Sequence, residues 1–291
     1  MIKKKLKINA KKIDRFLLNF LKKQKNSLLV KPMKYGVISG GKKIRSTIIL
    51  ETGKLFNVRE TKLINICAAV ECIHSYSLIH DDLPCMDNDK IRRGKPATHI
   101  KYGESSAVLA GSSLLTLAFE IISDKKYSLN SKVKNELVRF LAKCSGHTGI
   151  AEGQELDLKF EKKKKTISEI IDMQKKKTGK LFNFCLYAVG VIANKSEKEK
   201  IFLSNLGEEI GLLFQLADDF LDKKGSKQLL GKPVKKDKQK GKSTLLNLMG
   251  EKKAYLYAKN LKKKILRKLK KHGKKAGELL CTIEFILERK F

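Results

Sequence analysis

The strongest constraint on the fold is an apolar helical stretch that ends in acidic residues, within residues 70–99. Its first part, VECIHSYSLIH, repeats apolar residues at three- and four-residue steps, the spacing that brings side chains onto one face of a helix. Pro84 interrupts this pattern, because proline has no N–H and clashes with the preceding turn. The pattern therefore predicts a helix over residues 61–80, with Asp81 and Asp82 near its C-terminus.

Two adjacent carboxylates at this position need a positive partner. The C-terminus of a helix already disfavours negative charge, and Asp81 and Asp82 also repel each other. Arg92 and Arg93 lie a few residues further on and offset part of this cost. A divalent metal ion offsets it better, because Mg²⁺ binds carboxylate oxygens and keeps coordination positions open for phosphate.

A second acidic segment, FQLADDFLD, spans residues 214–222. Asp218 and Asp222 are four residues apart and so share one helix face, and Asp219 adjoins Asp218. The segment contains no basic residue that could pair with them. We expect the two acidic segments to form two carboxylate walls with metal ions between them, the coordination being completed by a phosphate-bearing ligand.

A third segment, GGKKIR, covers residues 40–45. Glycines allow close approach of the backbone, and Lys42 and Arg45 are three residues apart at the predicted start of a helix. A helix N-terminus that carries two cations is suited to bind an anion. Taken alone, the segment fits a solvated basic helix face better than an anion site.

Together these motifs resemble one family. DDLPCMD followed by RRGKP, with FQLADDFLD later in the chain, is similar to the short-chain trans-prenyltransferases of the polyprenyl synthase family, most closely the bacterial-type farnesyl diphosphate synthases. The resemblance runs from about Lys34 to the C-terminus. It implies an all-α fold of the isoprenoid-synthase type, a helical bundle with a central active-site cavity, as one domain over residues 1–291.

The resemblance also implies a reaction. Isopentenyl diphosphate would be condensed with dimethylallyl or geranyl diphosphate by Mg²⁺-assisted ionisation, condensation and elimination, giving (2E,6E)-farnesyl diphosphate. Three Mg²⁺ ions per site are implied when diphosphate is bound, and Mn²⁺ is a possible substitute. The metal ligands it implies are Asp81, Asp82, Asp87, Asp218, Asp219 and Asp222.

Substrate and catalytic roles follow from the same resemblance. Four residues are expected to bind isopentenyl diphosphate: Lys42, Arg45, His74 and Arg93. Four residues are expected to contact the allylic diphosphate or the developing cation and to be catalytic: Arg92, Lys177, Thr178 and Gln215. Lys232 and Lys242 are expected to be further ligands of the diphosphate. Gln154 and Asp157, in GIAEGQELDL, are expected to be structural anchors.

This chain departs from the family pattern at several positions. Lys43 and Ser46 stand where the GGKRLRP motif has arginine and proline, and Asn88 and Lys90 reduce the acidity of the usual MDDDDLRRG segment. Residues 223–242 contain nine lysines, and Lys224 to Ser226 read KGS where the family has an acidic TGD turn. We expect a polar loop there that serves as a lid.

Tyr76, five residues before Asp81, is the candidate for setting product length. Residues about one turn before the aspartates are expected to line the floor of the cavity, where the growing chain points. Relatives that make C20 products tend to have a small residue there, so a bulky tyrosine favours the C15 product. Geranylgeranyl diphosphate synthase remains the nearest alternative.

Two other classes of protein fit parts of the sequence, one through its charge and one through its histidines. With 64 Lys and Arg against 30 Asp and Glu, the formal charge is +34, which fits a nucleic-acid-binding protein. However, the excess is mostly lysine spread along the chain, without a platform of aromatic residues, and we favour solvated helix faces. An HD-type metal phosphohydrolase would use His74 and His80–Asp81, but it leaves FQLADDFLD and RRGKP unexplained.

The remaining expectations concern helices, compartment and assembly. Amphipathic or apolar periodicity predicts helices over 8–25, 104–124, 130–147 and 198–222, and two more within 243–291, separated at Gly273–Gly277; no strand-like alternation persists. The six cysteines form no CxxC pair, which indicates free thiols in the cytoplasm. We expect no membrane span, no secretory signal and, from the resemblance, a homodimer.

Overall fold

The computed structural model describes residues 2–24, 26–224 and 244–288. The first half of the chain contains α1 (Ile2–Lys22), α2 (Val30–Val37), α3 (Ile44–Leu55), α4 (Ile64–Asp81), strands β1 (Ile91–Arg92) and β2 (Lys95–Pro96), α5 (Thr98–Tyr102), α6 (Glu104–Ser123) and α7 (Ser131–Ser145). The second half contains α8 (Ile150–Lys159), α9 (Ile167–Gln174), a π-helical turn (Lys175–Gly179), α10 (Lys180–Ile192), α11 (Glu197–Lys224), α12 (Leu245–Met249), α13 (Glu251–Lys270) and α14 (Gly277–Glu288). The all-α prediction is confirmed.

Several helices begin at residues that cap them. The Asn130 side chain accepts a hydrogen bond of 2.9 Å from the Val133 N–H at the start of α7. Thr166 and Glu169 form a reciprocal capping box at the start of α9. Such caps satisfy N–H groups that have no partner inside the helix, which explains why α7 and α9 begin where they do.

Two helices are buried on nearly all sides and organise the bundle. α4 is apolar almost throughout and packs along α6 and α3, and α10 packs along α11 and α7. The backbones of α10 and α11 approach closely, because a Cβ atom on Gly207 would lie 2.3 Å from the Phe182 carbonyl oxygen. Buried apolar side chains form one continuous cluster from Leu6 to Ile286. The ends of α4 and α11, which carry the acidic segments, are therefore held by rigid helices.

A short sheet within the described residues departs from the sequence analysis, which expected no strands. β1 and β2 form an antiparallel hairpin, in which Ile91 pairs with Pro96 and Arg92 with Lys95. The turn consists of Arg93 and Gly94, both at positive φ (53° and 74°), as in the type I′ turns that match the twist of a hairpin. Strands of two residues are too short for alternation to be visible in a sequence.

Two segments have the length and composition of a membrane span, which the sequence analysis did not anticipate. These are Glu60–Asp81 and Glu104–Ser123. The most apolar 18-residue window of the first is 67% buried inside the protein, and that of the second is 44% buried. Core helices have the same composition, so these segments are weak indicators of a membrane.

Candidate active site

The first acidic segment folds back onto the end of α4. The Asp87 N–H donates to the Asp81 carbonyl (2.8 Å), and the Asp89 N–H donates to the Asp82 carbonyl (3.1 Å). Carbonyls in the last turn of a helix have no partner within the helix, and this loop supplies it. The fold-back brings Asp87 next to Asp81, although they are six residues apart in sequence.

Asn88 has a backbone reason to be at its position. Its φ is 50°, in the left-handed region where asparagine is several-fold enriched among non-glycine residues. Its N–H donates to the Leu83 carbonyl at 3.0 Å. This departure from the acidic family pattern is therefore compatible with the turn that returns Asp87 to α4.

Asp82 is buried and held by an arginine. The Arg92 Nε lies 3.0 and 3.1 Å from the two carboxylate oxygens of Asp82, and Nη2 also donates to Oδ1. Arg92 Nη2 further donates to Asp89 Oδ2 at 3.3 Å. Burial raises the pKa of Asp82, and the hydrogen bonds and charge of Arg92 oppose that rise. Asp82 thus has a permanent cationic partner within the protein.

The Asp81 carboxylate has a raised pKa. Burial raises its pKa to about 6, the Lys177 charge opposes this, and the Asp87 charge adds to it. A carboxylate that is partly neutral near pH 6 indicates a site with too little positive charge for all its acidic groups. A bound divalent cation would supply that charge.

Arg93 joins two of the predicted motifs. Its Nη1 donates to Ser39 Oγ (2.9 Å) and to the Gly40 carbonyl (2.8 Å). A Cβ atom on Gly41 would lie 2.9 Å from Arg93 Cζ, so the guanidinium rests directly on the glycine backbone. The hairpin therefore docks onto the loop that carries Lys42.

Two of the three cations of GGKKIR, Lys42 and Arg45, lie against aromatic rings. The Lys42 ammonium lies 5.9 Å from the centroid of the Phe285 ring on α14. The Arg45 guanidinium carbon lies 4.7 Å from the Phe182 ring and 5.6 Å from the Phe214 ring. Burial lowers the pKa of Arg45, against which the charges of Glu71 and Asp218 act. Arg45 thus links the start of α3 with the second acidic segment.

His74 lies within a group of cations. Burial lowers its pKa well below the usual value, and the charges of Arg45, Arg93, Lys43 and Arg92 lower it further. The imidazole is therefore neutral, with one ring nitrogen that donates and one that accepts. A neutral donor surrounded by cations is suited to bind a phosphate group.

His80 has another role. Its Nε2 lies 3.0 Å from the Val108 carbonyl oxygen, and a Cβ atom on Gly111 would lie 2.2 Å from the ring. The ring thus fills the contact between α4 and α6. This position gives no support to the His–Asp metal pair of a phosphohydrolase.

In the second acidic segment, Asp219 is held by two glutamines. Gln215 Nε2 donates to its Oδ1 (2.9 Å), and Gln174 Nε2 donates to its Oδ2 (3.2 Å). Thr178 Oγ1 in turn donates to Gln215 Oε1 at 3.0 Å. Sequence analysis did not identify Gln174, and its position four residues before Thr178 was the available signal. Both carboxylate oxygens of Asp219 therefore have neutral donors.

The π-helical turn connects the two acidic segments. The Lys177 ammonium forms a 2.7 Å ion pair with Asp157, and its charge acts on Asp81. The next residue, Thr178, belongs to the hydrogen-bond chain that ends at Asp219. A Cβ atom on Gly153 would lie 2.1 Å from the backbone nitrogen of Lys177, so α8 packs directly on this turn. Isolated π-helical turns occur frequently at functional sites.

The protein alone does not complete a metal site among the residues that the structure describes. In this part of the chain, no three His, Cys, Asp or Glu side chains come together closely enough to hold a metal ion. The donors available are all carboxylates, the ligands that Mg²⁺ prefers, and a ligand's phosphate oxygens would have to complete the coordination. Lys232, Lys242 and nearly all of the loop 223–242 lie outside the described residues.

Comparisons with known proteins agree with this geometry. The family model for polyprenyl synthetase matches residues 26–283. Farnesyl diphosphate synthase of Escherichia coli is 38% identical over 269 residues, 91% of this chain and 90% of that protein. The chain belongs to the polyprenyl synthetase family.

Solved structures of relatives have the same fold. An FPP/GFPP synthase from Zymomonas mobilis superposes with a TM-score of 0.88 at 37% identity, over 98% of both chains. A geranyltransferase from Helicobacter pylori, complexed with magnesium and isoprenyl diphosphate, superposes with a TM-score of 0.82 at 31% identity, over 99% of this chain and 96% of that one. The helical bundle is therefore that of the isoprenoid synthases.

The raised pKa of Asp81 predicts that Asp81→Asn stabilises the metal-free protein at high pH. The folded-state pKa of about 6 exceeds the unfolded value of 3.8, so folded protein loses stability as the pH rises from about 4 through 6. Asparagine removes this penalty, and we expect a gain of about 1–2 kcal/mol at pH 8, after allowing for solvent screening, and about half of it at pH 5. Urea denaturation in the presence of EDTA measures it.

The matched control is Asp172→Asn, since the Asp172 side chain is 61% exposed and carries no comparable cost of burial. An Asp81→Asn protein that is less stable than the parent at pH 8 would contradict the assignment of burial as the dominant cause.

Proposed function

We propose that this protein is a (2E,6E)-farnesyl diphosphate synthase, which joins isopentenyl diphosphate first to dimethylallyl diphosphate and then to geranyl diphosphate. Its relatives favour this activity over that of a geranylgeranyl diphosphate synthase. The observation that carries the proposal is the π-helical turn, where Lys177 acts on the first acidic segment and Thr178 is bonded to the second. Such a turn brings a cation and a hydroxyl to the place where a diphosphate would leave.

In this proposal, isopentenyl diphosphate binds to Lys42, Arg45, His74 and Arg93. In support of this, the charges of Arg45 and Arg93 both act on His74 and lower its pKa. Their charges would attract the diphosphate, and the neutral imidazole would donate a hydrogen bond. The Phe182 and Phe214 rings beside Arg45 would keep water away from the substrate's double bond.

The allylic diphosphate would lie between the acidic segments. We assign Asp81, Asp87, Asp218 and Asp222 as the direct ligands of Mg²⁺, with three ions per site and Mn²⁺ as a substitute. Asp82 and Asp219 would instead orient the segments, because Arg92 and the two glutamines already occupy their oxygens. Bound Mg²⁺ would supply positive charge that stabilises the departing diphosphate.

The protein's own groups assist in two ways. Lys177 and Arg92 would bind the leaving diphosphate, and Lys242 and Lys232 are proposed to join them. Thr178 and Gln215 would face the allylic cation with oxygen atoms, which stabilise positive charge. No described side chain is a convincing base, and we propose that the released diphosphate accepts the proton when the new double bond forms.

Product analysis tests this function directly. Purified protein incubated with dimethylallyl and isopentenyl diphosphates and Mg²⁺ should release a C15 product, identified as the alcohol after phosphatase treatment. EDTA should abolish turnover, because the acidic segments cannot then bind the diphosphates. Asp82→Asn and Asp81→Asn should both lower kcat, by at least about tenfold. A folded protein that makes no condensation product with Mg²⁺ or Mn²⁺ would refute the proposal.

Tyr76 is proposed to limit the product to C15. Its side chain is buried on α4, its hydroxyl donates to the Ser145 carbonyl at 3.2 Å, and its ring meets that of His80 edge-on at 5.8 Å. Burial and the Asp81 charge raise the pKa of Tyr76 to about 12, so the ring carries a neutral hydroxyl. These contacts fix its bulk one to two turns before the aspartates.

We therefore expect Tyr76→Ala to lengthen the product to C20 or beyond. The control is Tyr76→Phe, which keeps the ring but removes the hydrogen bond to Ser145, and which should still release C15. Chromatography of the dephosphorylated products compares the two. A C15 product from Tyr76→Ala, or longer chains from the native protein, would show that another residue limits the length.

We further propose that the protein is a homodimer that associates through α6. The stretch from Ser105 to Phe119 contains no charged residue, although the chain as a whole is strongly basic. Val108 and Leu109 on this helix are 42% and 52% exposed. Two copies of so basic a protein repel each other, and this repulsion is weakest where the contact surface carries no charge. An exposed apolar helix face also indicates a contact between proteins.

Leu109→Lys should convert the dimer to a monomer in analytical ultracentrifugation, because it places like charges at the contact. Ile201→Lys is the control: Ile201 is similarly exposed, at 56%, but lies on α11. If Leu109→Lys leaves the sedimentation coefficient unchanged, or if Ile201→Lys alone disrupts the dimer, α6 is not the interface.

A further inference from the structure

Lys43 is held in an unusual backbone conformation. It precedes α3 with φ 43° and ψ 51°, which is left-handed and strained for a residue with a long side chain. Gly40 and Gly41 before it are also at positive φ. A lysine keeps such a conformation only when surrounding contacts impose it.

Those contacts lie inside the bundle. The Lys43 ammonium donates to the Val37 carbonyl at 3.2 Å and forms ion pairs with Asp14 (3.2 Å) and Glu71 (3.7 Å). Its side chain is only 2% exposed. One ammonium thus ties the start of α3 to α1, α2 and α4.

Glu71 uses its other oxygen on a second residue of the same motif. Ser46 Oγ donates to Glu71 Oε1 at 2.7 Å, and the pair is buried. Ser46 thus hydrogen-bonds one carboxylate oxygen of Glu71, and the Lys43 ammonium lies within ion-pair distance of the other. A buried carboxylate that lost either partner would keep an unsatisfied oxygen.

GGKKIRS departs from the GGKRLRP pattern at Lys43 and Ser46, besides the exchange of leucine for the similar Ile44. An arginine fork can donate to both oxygens of one carboxylate, so it needs no help from the residue three positions later. Proline there is tolerated in the first turn of a helix but donates nothing. Lysine reaches one oxygen, and the serine hydroxyl supplies the other.

The consequence reaches the proposed diphosphate site. Lys42 and Arg45 flank Lys43 and depend on the turn that it fixes. His74 is three residues after Glu71, on the same side of α4, and the Lys43 charge acts on it. A shift of Glu71 would thus move the first turn of α3 relative to His74.

We propose that Lys43 and Ser46 act as one unit through Glu71, as positioning residues for the isopentenyl diphosphate site. This inference rests on the proposed function. Lysine with serine and arginine with proline are then alternative solutions for one buried carboxylate, and lysine with proline disrupts the site.

The test compares Lys43→Arg, Ser46→Pro and the double variant with the parent. Ser46→Pro alone should raise the KM for isopentenyl diphosphate about tenfold, whereas the KM for geranyl diphosphate should change less than about twofold, because the allylic site lies on other elements. The double variant should return to within about twofold of the parent, because arginine replaces the lost donor. Lys54→Arg, on the same helix but exposed, is the control for the charge-conserving exchange.

Purely additive effects on the KM for isopentenyl diphosphate, or equal effects on both substrates, would overturn the inference. If Ser46→Pro does not fold, Ser46→Ala alone and with Lys43→Arg makes the same comparison. If the parent itself is inactive, the proposed function fails on its own account. The Kd for inorganic pyrophosphate, measured by calorimetry across the same variants, then decides whether residues 43 and 46 are coupled.

Discussion

The structure of the site depends on the concentration of negative charge at the end of α4. The helix dipole, Asp81 and Asp82 all place negative charge there, and the apolar surroundings increase the cost. The protein offsets this in two ways, by returning the Asp87 and Asp89 N–H groups to the open carbonyls and by pairing Asp82 with Arg92. The pKa of Asp81 is nevertheless raised to about 6, chiefly by burial, and a bound cation would lower it.

The second acidic segment repeats the same arrangement with different chemistry. Its central member, Asp219, is satisfied by the amides of Gln215 and Gln174 instead of a guanidinium. In both segments an interior partner fixes one aspartate, and the backbone is held rigid by it. The neighbouring aspartates are then positioned by their own helix or loop, as a site for an exchangeable ligand requires.

Sequence reasoning identified most of the fold because the helices follow simple local rules. The helix around 104–124 is observed as Glu104–Ser123, and the 198–222 helix as Glu197–Lys224. α1 begins earlier than the predicted residue 8, because lysines that do not look periodic extend its polar face. The hairpin and the π-helical turn could not be predicted, since a turn at Arg93 or an extra residue near Thr178 leaves no periodic pattern.

The hydrogen-bond and ion-pair partners of the site residues were the hardest to predict from the sequence. Asp82 and Asp87 look equivalent in DDLPCMD, and only the hairpin shows that Arg92 reaches the former. Glu71 and Gln174 attracted no notice in the sequence, because a single acidic or amide residue on a helix face is usually solvated. Their importance comes from long-range packing, Glu71 against the start of α3 and Gln174 against α11.

The excess of lysine also has a structural consequence. Acidic residues on the surface are few, and several are shared: Glu209 pairs with both Lys264 and Lys268, and Glu278 with both Lys5 and Lys54. The cations of the site differ from these, since Lys43 is buried and Arg45 is packed between aromatic rings. A basic exterior attracts anions over long range, whereas the charges of buried cations such as these are screened less by solvent.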